Sequence, residues 1–286
     1  MIIKGSYLSK QRGLELQQIL GERDKAILAS IRQCRYLLTS HVRRLHFTES
    51  ANPAAGTRAT NRTMQKLRHY GLVDFLQQRI GGIRAGSLSY VWTLTEQGDK
   101  FLSYESGEHY PRKRSYEPSL YFLKHTLAVA ETYIQLGEMC KQHQLALAKA
   151  ELEPECWRKY EGEYGKPATL KPDLFAVVNC AKYVDNYFFE VDLNTESPKK
   201  VLGKCQKYAQ YCLSGVEQKE KSLFPLVVFI APSVTRMEAI QRYIADSRDL
   251  AENVKRIFLV ITPDNLEPLL LNGVEYINTQ KGEQSA

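Results

Sequence analysis

At 286 residues the chain is longer than one average domain, which sets an expectation of about two. Hydrophobic residues make up 43% and charged residues 25%, which excludes wholesale disorder, and no apolar run approaches the roughly 18 residues that span a bilayer. Net charge is +7 and unevenly placed: residues 1–124 hold 20 Lys/Arg against 10 Asp/Glu, whereas residues 125–286 hold 19 against 22.

A basic front half joined to a near-neutral back half is the pattern of a polyanion-binding module carrying a second domain. The six cysteines (Cys34, Cys140, Cys156, Cys180, Cys205 and Cys212) include no CxxC pair, and the six histidines show no ligand spacing. Reduced thiols in a cytoplasmic protein are therefore expected, without a structural zinc site. The start MIIKGSYLSKQRG lacks the apolar block of a secretory signal.

Residues 1–20 read as an N-terminal arm, and residues 21–104 as the first domain. In DKAILASIRQCRYL the positions Ile27, Leu28 and Ile31 share a helical face, with Asp24 as a cap. LTSHVRRLHF restarts after Thr39 or Ser40, either one an N-cap, and turns Val42, Leu45 and Phe47 inward. The third helix, TRATNRTMQKLRHYGL, buries Met64, Leu67 and Leu72, keeps Arg58, Asn61, Arg62, Gln65, Lys66 and Arg68 polar, and ends at Gly71. LVDFLQQRI and LSYVWTLT then read as strands around the glycine-rich GGIRAGS, closed by the helix EQGDKFL.

Helix, helix, basic helix and hairpin is the order of a winged helix-turn-helix. Its third helix would enter the major groove, and Arg84 at the wing tip would meet the minor groove or the backbone. A basic helix is also what a solvated face looks like, and winged helices also serve as protein-interaction modules. Gly81, Gly82 and Gly86 lack the GxxxxGK[ST] or strand–GxGxxG–helix context of a phosphate loop.

Residues 105–118 form the linker, with the basic run Arg112, Lys113 and Arg114. The second domain is expected over 119–280, with 281–286 as a tail. LYFLKHTLAVAETYIQLGEMCKQH is an amphipathic helix, followed by the strands LALAKAEL, DLFAVVNC and YFFEVDL. In the next helix Ser197 caps, Pro198 takes the first position and Gly215 lies beyond the end. The strand PLVVFIAP, the helix RMEAIQRYIADSRDLAENV and the strand IFLVIT complete an α-β-β-β-α-β-α-β order.

That order, with Pro172-Asp173 before one strand and Glu190-Val191-Asp192 in the next, resembles the restriction-endonuclease-like PD-(D/E)xK superfamily. The chain thus reads as mixed α+β or α/β: an N-terminal winged helix-turn-helix and a C-terminal restriction-endonuclease-like αβββαβ core. The resemblance implies that Asp173, Glu190 and Asp192 hold Mg²⁺ or Mn²⁺ for phosphodiester hydrolysis. It also points to Glu131 as a place for another acid. Asp192 departs from the motif, which expects Lys there, and Lys200, Lys204 and Lys207 recur on one side of the following helix as substitutes, with Lys204 taken as the catalytic candidate. Glu190 and Asp192 share a strand face, and a hairpin loop of about four residues is expected to set Asp173 opposite Asp192. The competing reading leaves Asp173 and Glu190 as strand ends in salt bridges to that helix.

Taken whole, the chain resembles the replication-relaxation family of bacterial plasmids and mobile elements. ILASIRQCRYLLTSHVRRLHF and TNRTMQKLRHYGLV carry the likeness at the front. KPDLFAVV, YFFEVDLNTESPKKVLGKCQKYAQY and FPLVVFIAP carry it at the back, where the run Glu190, Asp192, Thr195, Glu196 is the most specific part. The resemblance implies double-stranded DNA as partner in replication, relaxation or transfer, alongside replication or transfer proteins and a second copy of the chain. The nuclease-like domain would then serve assembly or DNA-shape recognition, with no cofactor. A Mg²⁺- or Mn²⁺-dependent endonuclease or nickase is one alternative, and a transcriptional regulator another.

Overall fold

The computed structural model describes residues 8–50, 52–78, 89–108, 117–162, 165–179 and 183–273. Arg84 with its glycine loop, and the run Arg112–Arg114, lie outside these residues. The fold is mixed α+β, and the chain divides into two compact units, Met1–Ile134 and Gln135–Ala286. The division falls inside a helix whose first turns, through Leu123 and Leu127, pack with Leu76 and Val91 of the first unit. Among the described residues no helix is long and apolar enough to cross a membrane.

The first unit runs α1 (Lys10–Ile19), α2 (Glu22–Cys34), β1 (Leu37–Leu38), α3 (Thr39–His46), α4 (Pro53–His69), β2 (Val73–Phe75), β3 (Val91–Leu94), α5 (Glu96–Ser106) and the start of α6 (Leu120–Gln142). Its three strands form an antiparallel sheet in the order β1–β3–β2, with Trp92 opposite both Leu37 and Phe75. Leu16, Ile27, Leu28, Ile31, Met64, Leu67, Trp92 and Phe101 are buried. Each such side chain contributes about 1.5–3 kcal/mol on leaving water. Leu123 and Leu127 of α6 join Leu76 and Val91 in a smaller cluster.

Local chemistry sets the boundaries. Where the sequence suggests an arm, α1 forms: Ser9 Oγ accepts the Arg12 amide, and only Leu16 and Gly13 are buried. So thin an apolar stripe leaves no period to read. Asp24 is the third residue of α2 and its carboxylate accepts the Gly21 amide at 3.1 Å. Thr39 is already helical; its hydroxyl accepts the Trp92 indole N–H at 2.9 Å, and Leu38 is the N-cap residue without a side-chain cap. Asn52 caps α4, and Gly71 ends it at φ 75° with Gly71 N–H to Arg68 O and Leu72 N–H to Leu67 O, a Schellman pair.

The second unit contains β4 (Ala146–Leu152), β5 (Arg158–Glu161), β6 (Pro167–Leu170), β7 (Leu174–Asn179), β8 (Val184–Val191), α7 (Pro198–Ser214), α8 (Val216–Lys221), β9 (Leu226–Ile230), α9 (Val234–Ala245), α10 (Glu252–Lys255), β10 (Phe258–Ile261) and α11 (Leu266–Asn272). Five strands form one sheet in the order β10–β9–β8–β7–β4, antiparallel from β4 to β8 and parallel from β8 to β10. The two parallel crossovers step the same way across the sheet, so right-handed connection lays α7 and α9 on one face. There Val201, Cys205, Tyr208 and Tyr211 of α7 and Ile240 and Ile244 of α9 pack on Phe175, Phe188, Val227 and Phe229. The sequence reading misses the separate β5–β6 hairpin, whose strands alternate half-buried and exposed residues up to buried Leu170 at the end of β6.

Candidate functional site

β7 and β8 pair with Asn179 opposite Val184, so the connection between them has four residues. Counting back along that register sets Asp173 opposite Glu190, not opposite Asp192; the expected pairing was displaced by two positions. The Asp173 amide donates to Phe189 O at 3.2 Å, and Asp173 Oδ2 accepts the Val191 amide at 2.8 Å. Alternation puts Asp173, Glu190 and Asp192 on the face of Phe175 and Phe188, beneath α7 and α9. All three acids are buried.

Each acid meets its own partner. Lys204 of α7 brings its ammonium 2.8 Å from Glu190 Oε2 and 3.1 Å from Glu196 Oε2. The Tyr208 hydroxyl, one turn on, donates to Glu190 Oε1 at 2.7 Å. Asp192 takes a two-pronged arginine from α9: Arg236 Nε donates to Oδ2 at 2.7 Å and Nη2 to Oδ1 at 2.9 Å. Nη2 also donates to Glu196 O at 2.8 Å, while the Asn194 amide donates to Asp192 Oδ2 at 2.8 Å. The planar guanidinium fork suits this carboxylate geometry. Asn194 sits at φ 59°, turning the loop so that Glu196 faces both cations.

Burial pushes Glu190 up to about 7, against the pull of the Lys204 ammonium, and the neighbouring Asp173 adds to the rise. Burial works to lower Lys204, but Glu190, Asp173 and Glu196 outweigh it and hold the lysine above its ordinary value. Tyr208 is raised well above the usual phenol range by burial and by Glu190, to which its hydroxyl donates. Among the described residues no group of three or more His, Cys, Asp or Glu side chains is placed to hold a metal ion. With both Asp192 oxygens on Arg236, and Glu190 on Lys204 and Tyr208, the set as arranged does not fit a divalent cation.

Of the lysines considered as substitutes, Lys204 reaches the acids and Lys200 and Lys207 are exposed. Glu131 lies in the first unit, where Arg44 Nη1 donates to both its oxygens and His41 Nε2 lies 3.2 Å away. Thr195 is exposed. Sequence reasoning missed Arg236 altogether. It lies 44 residues beyond Asp192 and is an ordinary helical arginine in the sequence; only its place after the cap Ser233, at the C-terminal end of a buried strand, marks it.

On the first unit, Arg58, Asn61, Arg62 and Gln65 form an exposed stripe at i, i+3, i+4 and i+7 of α4, opposite buried Gly56, Thr60, Met64 and Leu67. Lys66 and Arg68 do not share this freedom. Lys66 pairs with Asp24 at 2.6 Å, and Arg68 pairs with Asp74 at 2.8 Å while lying over the Phe75 ring.

A family model described as replication-relaxation matches residues 28–227, from α2 through α4, the three acids and Lys204 into β9, and stops short of Arg236. No curated protein and no solved structure matches the chain.

Proposed function

The chain belongs to the replication-relaxation family, and from that membership we propose that it is a DNA-binding protein of a bacterial plasmid or mobile element, acting in replication, relaxation or transfer. The first unit is a winged helix that lays α4 in the major groove. The second is a restriction-endonuclease-like core used for assembly, with a second copy or with replication or transfer proteins, or for reading DNA shape. What carries the reading is the exposed stripe Arg58, Asn61, Arg62 and Gln65, in a half with twice as many basic as acidic residues. Arg and Asn are the side chains that read base edges bidentately, and Arg also neutralises phosphates. Support also comes from the element order, since α2, α3 and α4 precede β2 and β3, with β1 pairing on β3. Arg58→Ala/Arg62→Ala is expected to weaken duplex binding by more than about tenfold at moderate salt, with circular dichroism unchanged. Equal gel-shift titrations for the variant and the parent would end this assignment.

Hydrolysis is the second reading, favoured by Asp173 and Glu190 facing each other across β7 and β8 with Lys204 beside them. The Asp192–Arg236 pair opposes it, because it withdraws the third acid. The expected outcome is no nicking of supercoiled plasmid with Mg²⁺ or Mn²⁺. Nicking that disappears in Asp173→Ala and Glu190→Ala proteins, with DNA binding retained, would reverse the order of the two readings.

A further inference from the structure

A nuclease-like core gathers its acids around a divalent ion, and here Glu190 and Asp192 are each already paired with a side-chain cation, Lys204 and Arg236, while Asp173 accepts the Val191 amide. We propose that Lys204 and Arg236 are the resident cations of this site, taking the electrostatic place of a metal, so that the second unit closes without Mg²⁺ or Mn²⁺. This rests on the nuclease-like reading of the second unit and is independent of DNA binding by the first. The contacts form a continuous chain: Glu190 to Lys204 at 2.8 Å, Lys204 to the Glu196 carboxylate at 3.1 Å, the Glu196 carbonyl to Arg236 at 2.8 Å, and Arg236 to both oxygens of Asp192. One cation comes from α7 and the other from α9, and the acids come from β8 and the loop after it. The two pairs therefore fasten both helices to the centre of the sheet, as an ion shared between strands would fasten its ligands.

Arg236 is the more discriminating of the two. Its side chain and that of Asp192 are 7% and 2% exposed, so removing the guanidinium strands a carboxylate that water cannot reach. A lysine-for-metal exchange at Glu190 alone would leave Asp192 available to a cation, whereas the two-pronged arginine occupies both of its oxygens.

Thermal unfolding of the full-length protein, stripped with EDTA, tests the proposal. The parent should melt at one temperature in EDTA, in millimolar Mg²⁺ and in millimolar Mn²⁺. Arg236→Met should melt lower by on the order of 10 °C, the scale expected when one partner of a buried pair is removed. Asp192→Asn/Arg236→Met, which removes the stranded charge as well, should recover most of that loss. If Arg236→Met yields no soluble protein, the double variant carries the test: near-parental melting supports the proposal and equal insolubility overturns it. A parent stabilised by several degrees in Mn²⁺ also overturns it, since an ion that binds only the folded chain must raise its melting temperature. Mn²⁺ stabilisation without any nicking would end the resident-cation proposal alone, whereas metal-dependent nicking would end it together with the non-hydrolytic reading.

Discussion

Glu131 shows how far one side chain's surroundings move its chemistry. Its hydrogen bond with His41, then the two contacts from Arg44, hold its carboxyl down at about 2 against an ordinary value of 4.5, despite burial working the other way. A carboxyl lowered on folding stabilises the folded state above its unfolded value, and that contribution is lost as pH falls through the folded one. Stability of the first unit should therefore drop as pH is taken from about 4.5 to about 2, and Glu131→Gln should flatten the drop. Denaturant midpoints collected across that window check it; an unchanged slope in the variant would mean that the ion pair does nothing for folding. Residue-scale partners of this kind were the least legible part of the sequence. The two strands of acids declare themselves through Pro172-Asp173 and Glu190-Val191-Asp192, but nothing local to Asp192 points to Arg236, and nothing local to Asp24 points to Lys66. Long-range pairing depends on how helices are laid on a sheet, and a linear pattern does not encode it.

Elements were legible in proportion to the strength of their end signals and apolar stripes. α7 begins after Ser197, whose side chain makes no cap hydrogen bond, with Pro198 at its first turn, and stops at Gly215, φ 69°. The end of α4 at Gly71 follows from the same chemistry. By contrast α1 and the β5–β6 hairpin bury little, so tertiary contact and not pattern specifies them. The four-residue connection between β7 and β8 was anticipated, yet the register drawn from it was two positions out, which moved Asp173 from Asp192 to Glu190. Gly98, on α5 (Glu96–Ser106), offers a sharp test of element packing. A Cβ there would stand 2.1 Å from the Leu72 carbonyl oxygen, which also accepts the Thr95 amide. Backbone cannot yield as a flexible side chain can, so Gly98→Ala should cost at least about 2 kcal/mol in urea unfolding. A variant as stable as the parent would show that α5 can lift off the turn after α4.

At the scale of the whole molecule, charge is divided between the two halves and so is the work assigned to them. The basic excess of the first half falls in part on internal pairs, Lys66 with Asp24 and Arg68 with Asp74, whereas Arg58 and Arg62 of the α4 stripe are exposed. In the second half Glu190 and Asp192 are paired from within, by Lys204 and Arg236. DNA affinity should accordingly be set by a few arginines and depend steeply on salt. The measurement that bears most directly on this account is the salt dependence of duplex affinity for the full-length protein and for Arg58→Ala/Arg62→Ala. Each lost phosphate contact removes about 0.9 from the slope of log affinity against log salt, so two should flatten it by about 1.8. Parallel slopes for parent and variant, or a parent that ignores duplex DNA even at low salt, would contradict the account.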